Sequence, residues 1–150
     1  MFKSALSRLM TTDSSLASLV LRVPTGIIFM AHGSQKLFGA FGGYGLEGTG
    51  QWMASIGIEP GYLMALLSGS GEFFGGLAIL IGLLTRPAAA VLAFTMLVAI
   101  LTVHIGNGLF ASNNGYEYAL ALLTIAASLV ITGGGKLSLD RLLSPARHDS

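Results

Sequence analysis

Four stretches of roughly 20 residues carry almost no charge, the length that a hydrocarbon core about 30 Å thick demands of a helix. They run approximately over residues 16–38, 62–84, 88–106 and 116–132. Lipid offers no partner to a backbone N–H or C=O, so a spanning segment must pair these groups within itself, as an α-helix does. The chain is therefore expected to be all-α, a single domain over residues 1–150 forming an integral-membrane four-helix bundle. Composition agrees. Hydrophobic residues make up 53% and charged residues only 10%, where soluble proteins carry about 25% charged.

The basic residues set an orientation. With four spans, both termini share a side with the short turn at 85–87, and that side collects Lys3, Arg8, Arg86, Lys136, Arg141 and Arg147. The loops on the other side hold no lysine or arginine, only Glu47 and Glu59. Short loops retain lysine and arginine on the cytoplasmic face, so both termini are expected there. The first apolar stretch is too long for a secretory leader, contains Arg22 and has no small-residue cleavage pattern after it, so no cleaved signal is expected. The chain has no cysteine, which excludes disulfides, thiolate metal sites and thiol oxidation by its own side chains. A net charge of +1 gives no electrostatic reason to expect nucleic acid as a partner.

The outer loop GAFGGYGLEGTGQWMASIGIEP places Trp52, Met53 and Ile56 at helical spacing, which predicts a short interfacial or re-entrant helix. Trp52 is expected there as a lid or a headgroup anchor. Over segment 1–14, Phe2, Ala5, Leu6, Leu9 and Met10 form one apolar face, suiting an amphipathic helix on the cytoplasmic leaflet. The cytoplasmic tail, 136–150, repeats this briefly. Gly71 and Gly75 make a GxxxG pair that lets helices approach closely.

Six ionisable residues interrupt this apolar background: Arg22, His32, Lys36, Glu72, His104 and Glu117. A charge at the bilayer centre costs at least about 2.5–3.5 kcal/mol on insertion scales, so such residues face one another or a wet cavity. Two are basic, two acidic and two are histidines, so the formal charges cancel. A rise of about 1.5 Å per residue puts His32, Lys36, His104 and Glu117 in the outer third, Glu72 near the midplane and Arg22 in the inner half. Arg22, Gly26, Phe29, Gly33 and Lys36 follow one helical face, and the glycines leave room for a helix or a ligand. Pro24 frees a backbone carbonyl near Arg22. The cluster reads either as a ligand-binding and proton-relay site or as architecture. In the architectural version Arg22 pairs with Glu72, and Glu117 neighbours Lys36 at the surface. His32 and His104 lie at the similar depth that bis-histidine haem ligation needs. Lys36 one turn from His32 and the lack of a second pair argue against haem, and no HxxxH or ExxH spacing points to a metal. No intrinsic cofactor is expected.

The chain resembles the DoxX family of small bacterial inner-membrane proteins. The resemblance rests on Arg22 and Gly26 in the first helix and HGSQKLFG at its end. GEFFGGLAILIGLLTRPAA over residues 71–89, with Glu72 as its acidic position, and YEYAL and GGGKLSLD around the last helix complete it. It covers roughly residues 16–140. It implies a four-helix inner-membrane fold and redox biology, relatives being described as oxidoreductase or quinone-linked subunits.

A quinone needs hydrogen-bond partners at its carbonyls, an apolar slot for its tail and a proton route. His32 or His104 can exchange protons near neutral pH, Lys36 can polarise a carbonyl, Glu72 and Glu117 can relay protons, and Arg22 can anchor the inner end. The expected function is therefore that of an oxidoreductase component binding a quinone or similar small apolar molecule. With no electron carrier of its own, it would take electrons from a soluble redox partner or a directly bound reductant; a homo-oligomer is the other association expected. The rivals are a proton-coupled small-molecule transporter and a non-catalytic assembly factor. The orientation is open to direct test: a reporter fused after residue 150 reads cytoplasmic, and one inserted in the 107–115 loop reads external. An external C-terminus overturns the orientation and the depth of every residue assigned from it.

Overall fold

The structure, a computed structural model, describes residues 2–12 and 15–144, with side chains from residue 5 onward. Among the described residues all regular structure is helical: α1 Phe2–Leu9, α2 Ala17–Phe38, α3 Gly45–Ser55, α4 Gly61–Ile81, α5 Thr85–Ala99, α6 Glu117–Thr132 and α7 Leu139–Leu143. Helix α5 continues through a π turn, Ile100–His104, and a 3-10 turn, Ile105–Asn107. Two helices, Gly61–Ile81 and Thr85–Asn107, are long and apolar enough to cross a membrane, while α6 is apolar but shorter. The two longest α-helices stop at glycine. Gly39 and Gly82, at φ 68° and 71°, take the left-handed cap that lets a chain leave a helix without a Cβ clash. Gly82 therefore ends α4 three residues before the expected boundary, and α5 starts correspondingly early.

The most intimate packing is between α2 and α4, and glycine makes it possible. A Cβ on Gly26 would lie 2.7 Å from the Gly76 carbonyl oxygen, and one on Gly33 would lie 2.5 Å from the Phe73 nitrogen and 2.8 Å from the Gly69 oxygen. The backbones touch where side chains would hold them apart. The GxxxG pair singled out from sequence contributes differently, since a Cβ on Gly71 would meet only side chains at ordinary contact distance, Val91 Cγ1 at 3.4 Å and Thr95 Oγ1 at 3.8 Å. Around this seam α5 packs on α4, α6 on α5, and α6 back on α2. Phe29, Ile79, Leu92, Met96, Ala126 and Leu129 fill the space between them. Helix α3 forms in the outer loop as expected and lies against α4 and α2.

At the other end the segment after α6 folds back under the helices. Arg22, 1% exposed, does not meet Glu72 as the architectural reading expected. Its guanidinium donates instead to backbone carbonyls: Nε to Gly134 (2.8 Å), Nη1 to Leu80 (2.6 Å) and Nη2 to Leu137 (2.6 Å). Leu80 lies in the last turn of α4, where carbonyls lack helical partners, so a planar fork of donors satisfies what the helix cannot. Asp140, also 1% exposed, accepts from the backbone N–H groups of Leu84 (2.7 Å) and Thr85 (2.8 Å), where a carboxylate caps the start of α5. Leu84 and Leu137 sit at φ 48° and 56°, conformations unfavourable for leucine, and both belong to this latch. The Arg86 guanidinium donates to the carbonyls of Thr11 and Val130, and the Ser144 hydroxyl donates to that of Met10. The latch thus gathers the N-terminal segment, the α4–α5 turn and the C-terminal segment at one end, the grouping that the basic residues suggested. The tail is not simply a surface helix, because Asp140 is drawn inside. Arg147 and the rest of 145–150 lie outside the described residues.

These contacts rank the glycines by consequence. Gly26→Ala and Gly33→Ala each force backbones apart, and overpacking of this kind costs about 1–3 kcal/mol. Thermal unfolding in detergent should show both destabilised and Gly71→Ala close to wild type. Equal losses at all three positions would contradict the α2–α4 contact described.

Candidate functional site

The α2–α4 contact also places the charges. Beside Gly69 the Lys36 Cβ comes so close that a Cβ on the glycine would lie 3.1 Å away. Glu72 follows Gly69 by three residues, almost one helical turn, on the same side of α4. The two side chains therefore meet across the seam: Lys36 Nζ donates to Glu72 Oε1 at 2.5 Å. The side chains are unequally shielded, 26% exposed for Lys36 and 2% for Glu72. The other carboxylate oxygen, Oε2, is buried with no hydrogen-bond partner. An unpaired buried acceptor is costly, and in native proteins it generally marks an unseen partner or a working site.

Lys36 and Glu72 form part of the wall of a partly open cavity of about 150 Å³ between α2, α4, α5 and α6. Its apolar wall is Phe29, Met96, Ala99, Ala119 and Leu122, and its polar wall adds His32, His104 and Tyr118. His104 reaches the cavity because of the π turn. In an unbroken α-helix the residue seven beyond Met96, Val103, would fall on that face, but the wider turn delays the rotation by about one residue and gives the place to His104. His104 Nδ1 lies 2.9 Å from the Asn114 carbonyl oxygen, an atom that can only accept, so Nδ1 carries the hydrogen. His32 stands at the exposed side, its ring 6.3 Å from that of Tyr118 on α6.

Four of the six residues proposed from sequence thus line one cavity: His32, Lys36, Glu72 and His104. The other two do not. Arg22 belongs to the latch at the opposite end. Glu117 turns outward, where its Oε1 accepts from the Ala111 N–H at 2.8 Å and ties down the 107–115 loop, so it neither neighbours Lys36 nor faces the cavity. Trp52 sits on α3, 40% exposed, and is not among the residues lining the cavity. Sequence reasoning passed over Tyr118, although a tyrosine beside Glu117 at the start of an apolar helix was visible in YEYAL. Among the described residues no group of three or more His, Cys, Asp or Glu side chains is placed to hold a metal ion.

The sequence profile of the DoxX family matches residues 17–105. A Bacillus subtilis protein named "Putative oxidoreductase CatD" is 37% identical over 131 residues, 87% of this chain and 90% of that one. The Escherichia coli inner membrane protein YqjF is 38% identical over 129 residues, 84% of this chain and 91% of that one. A second Escherichia coli inner membrane protein, YphA, is 29% identical over 128 residues, 82% of this chain and 87% of that one. No solved structure matches.

Pairing in the cavity wall predicts a non-additive response. Lys36→Met leaves the Glu72 carboxylate buried and uncompensated, a change that typically costs about 3–5 kcal/mol, while Lys36→Met with Glu72→Leu removes both charges and costs much less. Thermal stabilities of the two single variants and the double variant in detergent measure this. A double-variant loss equal to the sum of the singles would mean that the two groups do not interact.

Proposed function

This chain belongs to the DoxX family and resides in the inner membrane, and on that premise we propose that it is an oxidoreductase component binding a quinone or similar small apolar molecule in the cavity. The bundle of α2, α4, α5 and α6 crosses the bilayer with both termini on the cytoplasmic side, so the latch lies inside and the cavity opens toward the outer half. The observation that carries this reading is the buried Glu72 oxygen without a partner, in the wall of a cavity otherwise apolar and ringed by Lys36 and two histidines. A mostly apolar pocket with a few convergent polar groups is the usual form of a small-molecule site. An oxidoreductase role is supported by the name carried by the Bacillus subtilis relative.

Each side chain then has a task. Phe29, Met96 and Leu122 offer an apolar slot for a ring. Lys36 and Glu72 hold opposite charges at one edge, where a proton and a developing negative charge can be accommodated together. His32 and His104 stand nearer the outer end and link the cavity to water. The ligand completes the hydrogen bonding that the wall leaves open.

The proposal is tested on what the protein carries out of the membrane. Lipid extracted from the purified wild type and analysed by mass spectrometry should contain a quinone at near-stoichiometric amount, and Lys36→Met with Glu72→Leu should lose it while remaining folded. Extracts with phospholipid alone from both proteins would contradict the binding role.

A further inference from the structure

We propose that the cavity selects the reduced, dihydroxy form of an aromatic ring, a hydroquinone, over the quinone. This rests on the reading of the cavity as a quinone-type site and deepens it.

The most buried polar group of the wall, Glu72, lacks a donor, whereas the groups able to donate, Lys36, His32 and Tyr118, are more exposed and can be served by water. Glu72 is an acceptor-only group whose Oε1 takes a hydrogen from Lys36 and whose Oε2 has nothing to accept from. His104 gives its Nδ1 hydrogen to Asn114, and in that tautomer Nε2 is the ring's acceptor. The deep carboxylate and the histidine both call for a ligand O–H. A quinone has only carbonyl oxygens, and one set beside Glu72 Oε2 would bring two acceptors together and leave both unsatisfied. A hydroquinone carries an O–H at each end of its ring, one for Glu72 and one for His104. Lys36 weighs less in the choice. Its remaining hydrogens belong to a side chain 26% exposed, which water can solvate, whereas Glu72 is 2% exposed. Size agrees as well: the cavity is about 150 Å³, and an apolar protein cavity of about that volume holds one benzene ring.

Sites that hydrogen-bond a hydroxyl discriminate strongly against analogues that lack it, because their own buried groups are left unpaired. The experiment titrates hydroquinone and 1,4-benzoquinone separately into the full chain in detergent, without oxygen, by calorimetry, with intact mass checking that no adduct has formed. Hydroquinone should bind at least about tenfold more tightly. His104→Phe, at the more accessible end, should weaken hydroquinone by about tenfold and leave benzoquinone nearly unchanged. Glu72→Gln supplies an amide N–H and should abolish the preference. Should that variant fail to fold with Lys36 unpaired, Lys36→Met with Glu72→Gln makes the same comparison with a neutral pair. Benzoquinone binding as tightly as hydroquinone to the wild type overturns this inference and leaves the quinone-type site standing. Binding of neither overturns the site as well. A preference that persists through both the His104 and the Glu72 variants overturns the assignment of those two acceptors.

Discussion

A polar group inside hydrocarbon has no water to turn to, and that constraint accounts for most of what distinguishes this structure. It explains why a chain with so few charges spends several of them where they cost most. Arg22 answers the unpaired carbonyls at the end of α4 and in the returning C-terminal segment. Asp140 answers the free N–H groups at the start of α5. Lys36 and Glu72 answer each other across the α2–α4 seam. Among the described residues two buried side-chain oxygens, Thr85 Oγ1 and Glu72 Oε2, have no answer from the protein, and of the two only Glu72 lines the cavity.

The two ends of the molecule therefore do different work with the same currency of hydrogen bonds. At the end gathered by Arg22 and Asp140, both charged groups are matched to backbone, and two leucines there sit in left-handed conformations. That end fixes how the helices emerge and meet. At the other end the polar side chains converge on space, with a π turn supplying the register that brings His104 inward. Glycine connects the two. Gly26 with Gly76, and Gly33 with Gly69, set the α2–α4 distance at which Lys36 can reach Glu72.

Much of this was legible in the sequence. Long, mostly apolar stretches located the four main helices, and the first, over 16–38, matches α2 to within a residue at its start. Four of six candidate residues met in one cavity, because helical rise and face are properties a sequence carries. The pairing was not legible. Depth alone put Arg22 nearest Glu72, but a lysine side chain is long enough to reach a turn deeper once glycines bring the helices into contact, and Arg22 found carbonyls from a segment 112 residues away. Glu117 was misplaced for a related reason. Its direction was decided by the free N–H of Ala111 in the adjoining loop, which helical rise alone does not reveal. Asp140, in what read as a surface tail, was invisible until the tail was seen to fold back.

The central claim is that a bound molecule supplies the hydrogen bond that Glu72 lacks. A crystal structure grown from a lipid phase with hydroquinone present tests it most directly. The account predicts ordered density for a single ring between Phe29 and Leu122, with an oxygen within about 3.2 Å of Glu72 Oε2. A structure in which Glu72 Oε2 accepts from the protein's own side chain, and the space between the helices is filled by side chains, would contradict it.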